Sequence, residues 1–179
     1  MKTQQYSPYT VGINGVITLS VIGDGLEGGP QERYLKSQGY STSGIANQTL
    51  RHSGFIPAQE GQEIDVVILP WSMFSDEERT VKNIREKAKE LGLVEPPHGV
   101  AGLIREELTN KHLEEMKLWQ IVVMSKPLKG HNGNMRALSL SRWNDAQELV
   151  ARTINPDELI PDDSNANSGY AFIVPCRKE

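Results

Sequence analysis

Cysteine is nearly absent. Cys176 stands alone in 179 residues, which excludes an internal disulfide framework and any cysteine-rich zinc site. Aromatic residues make up only 6%. No run of about 18 apolar residues occurs, so no membrane-spanning helix and no membrane partner are expected. Residues 1–12 carry one lysine and no apolar core, so a secretory signal is not expected either. Basic charge is not in excess: 19 Lys and Arg stand against 23 Asp and Glu, a formal net charge of -4. That balance argues against nucleic acid as a partner, because such binding runs on Lys and Arg neutralising phosphates. Internal repeats and low-complexity tracts are missing. What is present is an ordinary globular composition, 37% hydrophobic and 23% charged. A chain of this length buries roughly 70% of its unfolded surface without a staple. The expectation is one domain over 1–179, cytoplasmic.

Local patterns give the elements. Residues 9–22 read as a hairpin, with Asn14-Gly15 as the turn between alternating runs. The glycine-rich stretch 23–29 reads as a loop, and Pro30 to Gln38 as a short helix closed by Gly39. Residues 39–62, rich in Gly, Ser, Thr, Asn and Gln, read as a candidate mobile loop with a short strand around Ile45. Ile64 to Leu69 is a buried strand. Ser75 to Leu91 reads as one helix, opened by a Ser75/Glu78 capping box and closed by Gly92. Helices over 100–108 and from Thr109 or Asn110 follow, then a strand at 118–124. A second Asn-Gly loop precedes a return strand over 136–143. Asn144 caps a further helix to Thr153, and Tyr170 to Pro175 closes the chain as a strand. Strands and helices are segregated, so the fold class is α+β. The sheet is mostly antiparallel, built from hairpins, and packed by three to four helices.

The motifs that could carry chemistry each lack a required group. Gly23-x-Gly25-x-x-Gly28 matches the dinucleotide-binding fingerprint. Its strand, however, is a hairpin arm, Asp24 and Glu27 repel phosphate, and no acidic residue follows about 20 positions later. The same segment, VIGDGLEGG, resembles the nucleophile block of GDSL-type esterases. There Gly25 occupies the nucleophile position and no Asp-x-x-His supplies a base. His112-x-Glu114 with Pro175-Cys176 is part of a zinc deaminase pattern, but the second cysteine is missing. Asp163, Asn165 and Asn167 match the first oxygen ligands of a calcium loop. The glycine and the bidentate glutamate that would complete an EF-hand are misplaced or absent. Glu106-Glu107 and Glu114-Glu115 are adjacent pairs that diverge on a helix, so neither forms an acid–base dyad.

One constellation remains. Lys126, Lys129, His131 and Arg136 cluster around the second hairpin of an otherwise acidic chain, and Arg142 and Trp143 end its return strand. Cations held on a rigid hairpin suit a carboxylate, a phosphate or an acidic partner surface. The expected function is therefore a non-catalytic binding or accessory protein with an acidic small molecule or protein partner, self-association included, and no cofactor. Two alternatives stand beside it. One is a small hydrolase or transferase using His131, His98 or Cys176. The other is a cation-dependent ligand-binding domain using residues 157–167.

Overall fold

Alternation along β2 (Ile17–Ile22) sets the frame: Ile17, Leu19 and Val21 are buried while Thr18, Ser20 and Ile22 face out. A computed structural model describes residues 7–142, 146–157 and 167–176. β1 (Thr10–Val11) pairs antiparallel with β2, as the hairpin pattern predicts. The turn is wider than a two-residue Asn-Gly turn. It spans 12–16, is closed by the Gly12 N–H to the Val16 carbonyl at 2.8 Å, and only Gly15 takes positive φ, at 74°.

β4 (Glu63–Pro70) runs antiparallel to β2 and to β9 (Ser168–Ile173). The fully buried β5 (Gln120–Val123) lies parallel to β9. β7 (Met135–Ser141) follows, antiparallel to β5 and to β8 (Glu148–Thr153). β3 (Ser41–Thr42) adds a parallel edge beside β8. The order is β1-β2-β4-β9-β5-β7-β8-β3, and β6 (Leu128–Lys129) pairs with β7. The sheet is thus mixed, mostly antiparallel, with two parallel pairs.

Helices cover both faces. One core joins Leu19, Val66 and Ile68 to Leu35 of α1 (Gly28–Ser37) and Leu50 of α2 (Gly44–Leu50). Ile104 of α4 (Val100–Glu107) and Leu113 of α5 (Asn110–Glu115) complete it. On the other face Val81, Ile84 and Ala88 of α3 (Val81–Glu90) pack on Val122, Tyr170 and Phe172. Five α-helices stand among the described residues where three to four were expected.

Three expectations change. The Ser75/Glu78 capping box forms, yet it closes a single 3-10 turn, Asp76–Glu78. Arg79 leaves helical geometry at ψ 40°, folding its buried guanidinium onto Asp76 at 2.7 Å and over Trp71 at 4.6 Å. Thr80 then caps α3 afresh, its Oγ1 accepting the Asn83 N–H at 3.2 Å. The helix expected up to Thr153 is strand β8. Pairing with β7 on one side and β3 on the other supplies ladder partners that override a helix-compatible spacing. Its expected cap, Asn144, lies outside the described residues. Finally, the 39–62 stretch holds β3 and α2, with Ile45 on the helix. Ala46, Leu50, Phe55 and Ala58 anchor it in the core.

Close backbone approach explains the glycines of 23–28. A Cβ on Gly23 would sit 1.9 Å from the Gln59 carbonyl oxygen, and one on Gly28 1.7 Å from that of Leu50. The Gly23 and Gly25 N–H groups donate to the Gln62 and Ala58 carbonyls at 2.8 and 3.0 Å. The Gly23 and Gly25 amides are taken by the protein's own backbone, so these two are not offered to a pyrophosphate.

Candidate functional site

Two short segments build a cleft of about 810 Å³. The first is α2 and the turn after it. Ser43 caps α2 by accepting the Ala46 N–H at 3.1 Å, and the helix presents Ile45, Gln48 and Thr49 to the cleft at helical spacing, with His52 on the turn that follows. Arg51 and Ser53 complete this wall. The turn is fixed by the Gly54 N–H donating to His52 Nδ1 at 2.9 Å. The neutral His52 ring therefore carries its proton on Nε2.

The second wall is the β6–β7 hairpin, contributing Leu128, Lys129, Gly130, His131, Asn132 and Arg136. Leu128 is paired directly with Arg136, so both side chains share a face. Gly130 and Gly133 tie the turn, the Gly130 N–H donating to Asn134 O and the Gly133 N–H to Gly130 O, each at 2.9 Å. Arg136 donates from Nη1 to Thr153 Oγ1 at 2.7 Å and from Nη2 to Asn132 Oδ1 at 3.5 Å. Arg51 is held differently. The carboxylate of Glu32, 2% exposed, accepts from Arg51 Nε at 2.7 Å and Nη2 at 3.2 Å, and from Lys36 Nζ at 2.6 Å. Burial pushes the Glu32 carboxyl up, but the bonds from Lys36 and Arg51 outweigh it and hold the group below its ordinary value. No carboxylate lines the cleft among the described residues.

His98 braces the two walls from behind. Its Nδ1 accepts the Ile56 N–H at 3.0 Å and its Nε2–H donates to the Lys126 carbonyl at 2.8 Å. Burial lowers its pKa, the Lys126 bond opposing. With both nitrogens hydrogen-bonded to backbone groups and 4% of its surface exposed, His98 ties the segment at Ile56 to that at Lys126 as a strut.

Of the hairpin residues singled out from sequence, Lys129, His131 and Arg136 converge on the cleft. Lys126 contributes only its backbone carbonyl to the strut. Arg142 sits at the far end of β7, its guanidinium 4.7 Å over the Trp119 ring and 3.8 Å from Glu114. Trp143, Asp163 and Asn165 lie outside the described residues. Asn167 accepts the Trp119 N–H on its backbone carbonyl at 2.7 Å. Among the described residues no group of three His, Cys, Asp or Glu side chains is placed to hold a metal. Cys176 is a free, exposed thiol beyond β9, and no hydrogen bond joins it to a histidine among the described residues.

Sequence reasoning missed Arg51 and His52. They were two of only three titratable side chains other than tyrosine in 39–62, with Glu60, and that isolation was the available signal. Glu106, read from sequence as one of an adjacent pair that forms no dyad, has a perturbed carboxyl that the sequence did not show. Burial, then the charges of Asp24 and Glu107, push this half-buried carboxyl up to about 7, and its Oε1 has no hydrogen-bond partner. Glu106 does not line the cleft. Comparison with protein-family models, curated proteins and solved structures finds no match to this chain.

Proposed function

We propose that this chain is a binding module whose cleft between α2 and the β6–β7 hairpin takes a small anionic molecule. One observation carries the reading. Arg51, Lys129 and Arg136, with His52 and His131, line a single 810 Å³ concavity that no carboxylate lines among the described residues, in a chain of net charge -4. That volume lies in the range of about 300–1,000 Å³ usual for small-molecule sites. A concave site also favours a small molecule over a flat partner surface. For the hydrolase or transferase alternative, both His98 nitrogens are held by backbone groups, which leaves His131 on the cleft and the exposed Cys176 as its reactive groups.

The test is titration of the labelled protein with sodium citrate and sodium phosphate, followed by backbone amide resonances. Saturable shifts confined to residues 45–53 and 128–136, weakening as salt rises, are expected. Shifts scattered over the surface, or none at millimolar anion, would remove the reading.

A further inference from the structure

We propose that the outer edge of β2 takes an extended, lysine- or arginine-bearing segment of a partner protein as an added strand. β1 covers that edge only with Thr10 and Val11, opposite Thr18 and Ile17. Two hydrogen bonds fix which backbone groups remain. The Gly12 N–H donates to the Val16 carbonyl across the hairpin, so the even-numbered residues of β2 aim their N–H and C=O groups to the β1 side. The Gly23 N–H donates to the Gln62 carbonyl, so the odd-numbered ones aim theirs to β4. Ser20 and Ile22 therefore turn both backbone groups outward, and among the described residues none bonds to them there. Continuing the β1 register would set Pro8 opposite Ser20, and proline has no N–H to give. The strand itself, ITLSVI, holds no proline and no charge, and its register against β4 is unbroken, so nothing along it blunts the edge. Ile22 is 58% exposed.

The chemistry of the occupant follows from a groove of about 570 Å³ at this edge. Asp65 and Glu107 line it, and among the described residues no Lys or Arg does. Asp65 accepts a hydrogen bond from the Ser20 hydroxyl at 2.6 Å, and among the described residues neither carboxylate pairs with a cation. The two belong to opposite faces of the sheet. Asp65 stands beside Ser20 on the face that β2 exposes, whereas Glu107 ends α4, which packs on the face of Leu19. Side chains of a strand alternate between faces, so neighbouring positions of one added strand offer a cation to each carboxylate. Tyr9, Val67 and Val174 add apolar contact. This is the pattern of strand addition: main-chain hydrogen bonds give affinity and alternate side chains give specificity. A second copy of this chain fits less well, because a two-fold pairing of β2 edges brings like carboxylates together.

The test titrates the full chain at pH 7.5 with the capped peptide Thr-Val-Lys-Lys-Val-Thr and follows amide resonances and amide hydrogen exchange. Shifts along residues 18–22 and slowed exchange at Ser20 and Ile22 are expected, fading as salt rises. The same peptide with glutamate for lysine is expected to cause neither. An analogue N-methylated on both valines keeps the charges but loses an inward N–H whichever edge docks, and is expected to bind several-fold more weakly. Asp65→Asn with Glu107→Gln, both at exposed positions, is expected to weaken the lysine peptide several-fold. Equal binding of the N-methylated peptide overturns strand addition, and equal binding of the glutamate peptide overturns the basic partner. Slow exchange at Ser20 and Ile22 without peptide shows an edge already filled and overturns the proposal. So does a lysine peptide that fails to bind at millimolar concentration. The cleft between α2 and the β6–β7 hairpin shares no lining residue with this edge, so the two readings stand or fall separately.

Discussion

Glu32→Gln is expected to weaken the fold and strengthen anion binding in one step. The Glu32 side chain is 2% exposed, while its partners Lys36 and Arg51 are 48% and 65% exposed. Removing the carboxylate therefore strands no buried cation, and the cost stays well below that of breaking a fully buried pair. Glutamine keeps one acceptor oxygen and sets its NH2 against a donor, so at least one of the three hydrogen bonds is lost and the others weaken, at roughly 1–2 kcal/mol in total. For a domain of this length that lowers Tm by roughly 2–8 °C. The second effect runs through Arg51, which lines the cleft and shares the Glu32 carboxylate with Lys36. Removing the carboxylate raises the local charge by one. A unit pair 4 Å apart is worth about 1 kcal/mol in water and about 4 kcal/mol at an effective dielectric near 20. An open cleft sits toward the lower figure, so an anion gains roughly 1–2 kcal/mol, about five- to thirtyfold in affinity. Urea midpoints and phosphate titrations on both proteins read the two effects. The stability gap should also close in acid. The folded carboxyl titrates below its ordinary value of 4.5, so its contribution is present above that value and lost as pH falls through the folded one. A destabilised variant that binds no tighter would refute the claim that Arg51 senses the ligand. An unchanged midpoint would refute the claim that the carboxylate secures α1 to the turn.

Three further outcomes follow from the same contacts. His98→Gln should lower the denaturation midpoint at pH 7.5. Its deficit against wild type should shrink toward pH 5.5, because the neutral imidazole is the form the fold holds and its contribution fades as pH falls below about 6.5; a constant deficit would count against the strut. Glu106→Gln should match wild type near pH 4 and exceed it at pH 8, by about 1 kcal/mol once water around a half-buried carboxyl is allowed for. The reason is that the unfolded carboxyl ionises from its ordinary value of 4.5 while the folded one stays protonated up to about 7, so wild-type stability drains away over that window; equal stability at pH 8 would count against it. Gly28→Ala should cost about 3 kcal/mol or more, since its Cβ would meet the Leu50 carbonyl; a loss under about 1 kcal/mol in urea denaturation would show that α1 and α2 can separate freely.

Local chemistry was legible in the sequence where it is decided by neighbours. The β2 alternation, the apolar run of β4, the positive φ of Gly15, Gly39, Gly92 and Gly133, and the Ser75/Glu78 box all depend on residues a few positions apart. So did the clustering of Lys129, His131 and Arg136, which share one hairpin. Other features needed the folded chain. β8 is a strand because β7 and β3 offer it ladders from both sides, and β3 lies far from it in sequence. Arg79 breaks a helix whose cap was read correctly, because Trp71 and Asp76 offer its guanidinium a better place. The other wall of the cleft was hidden for the same reason. Arg51 and His52 follow a helix of only seven residues, stabilised by burial of Ala46 and Leu50 rather than by propensity, and no local pattern says that it faces the hairpin. Composition and short-range pattern thus determined most of the strands, the turns and one wall of the cleft. Which cations line one space, and which of them Glu32 holds, was decided by tertiary packing, because charge acts across distances in space that separation along the chain does not encode.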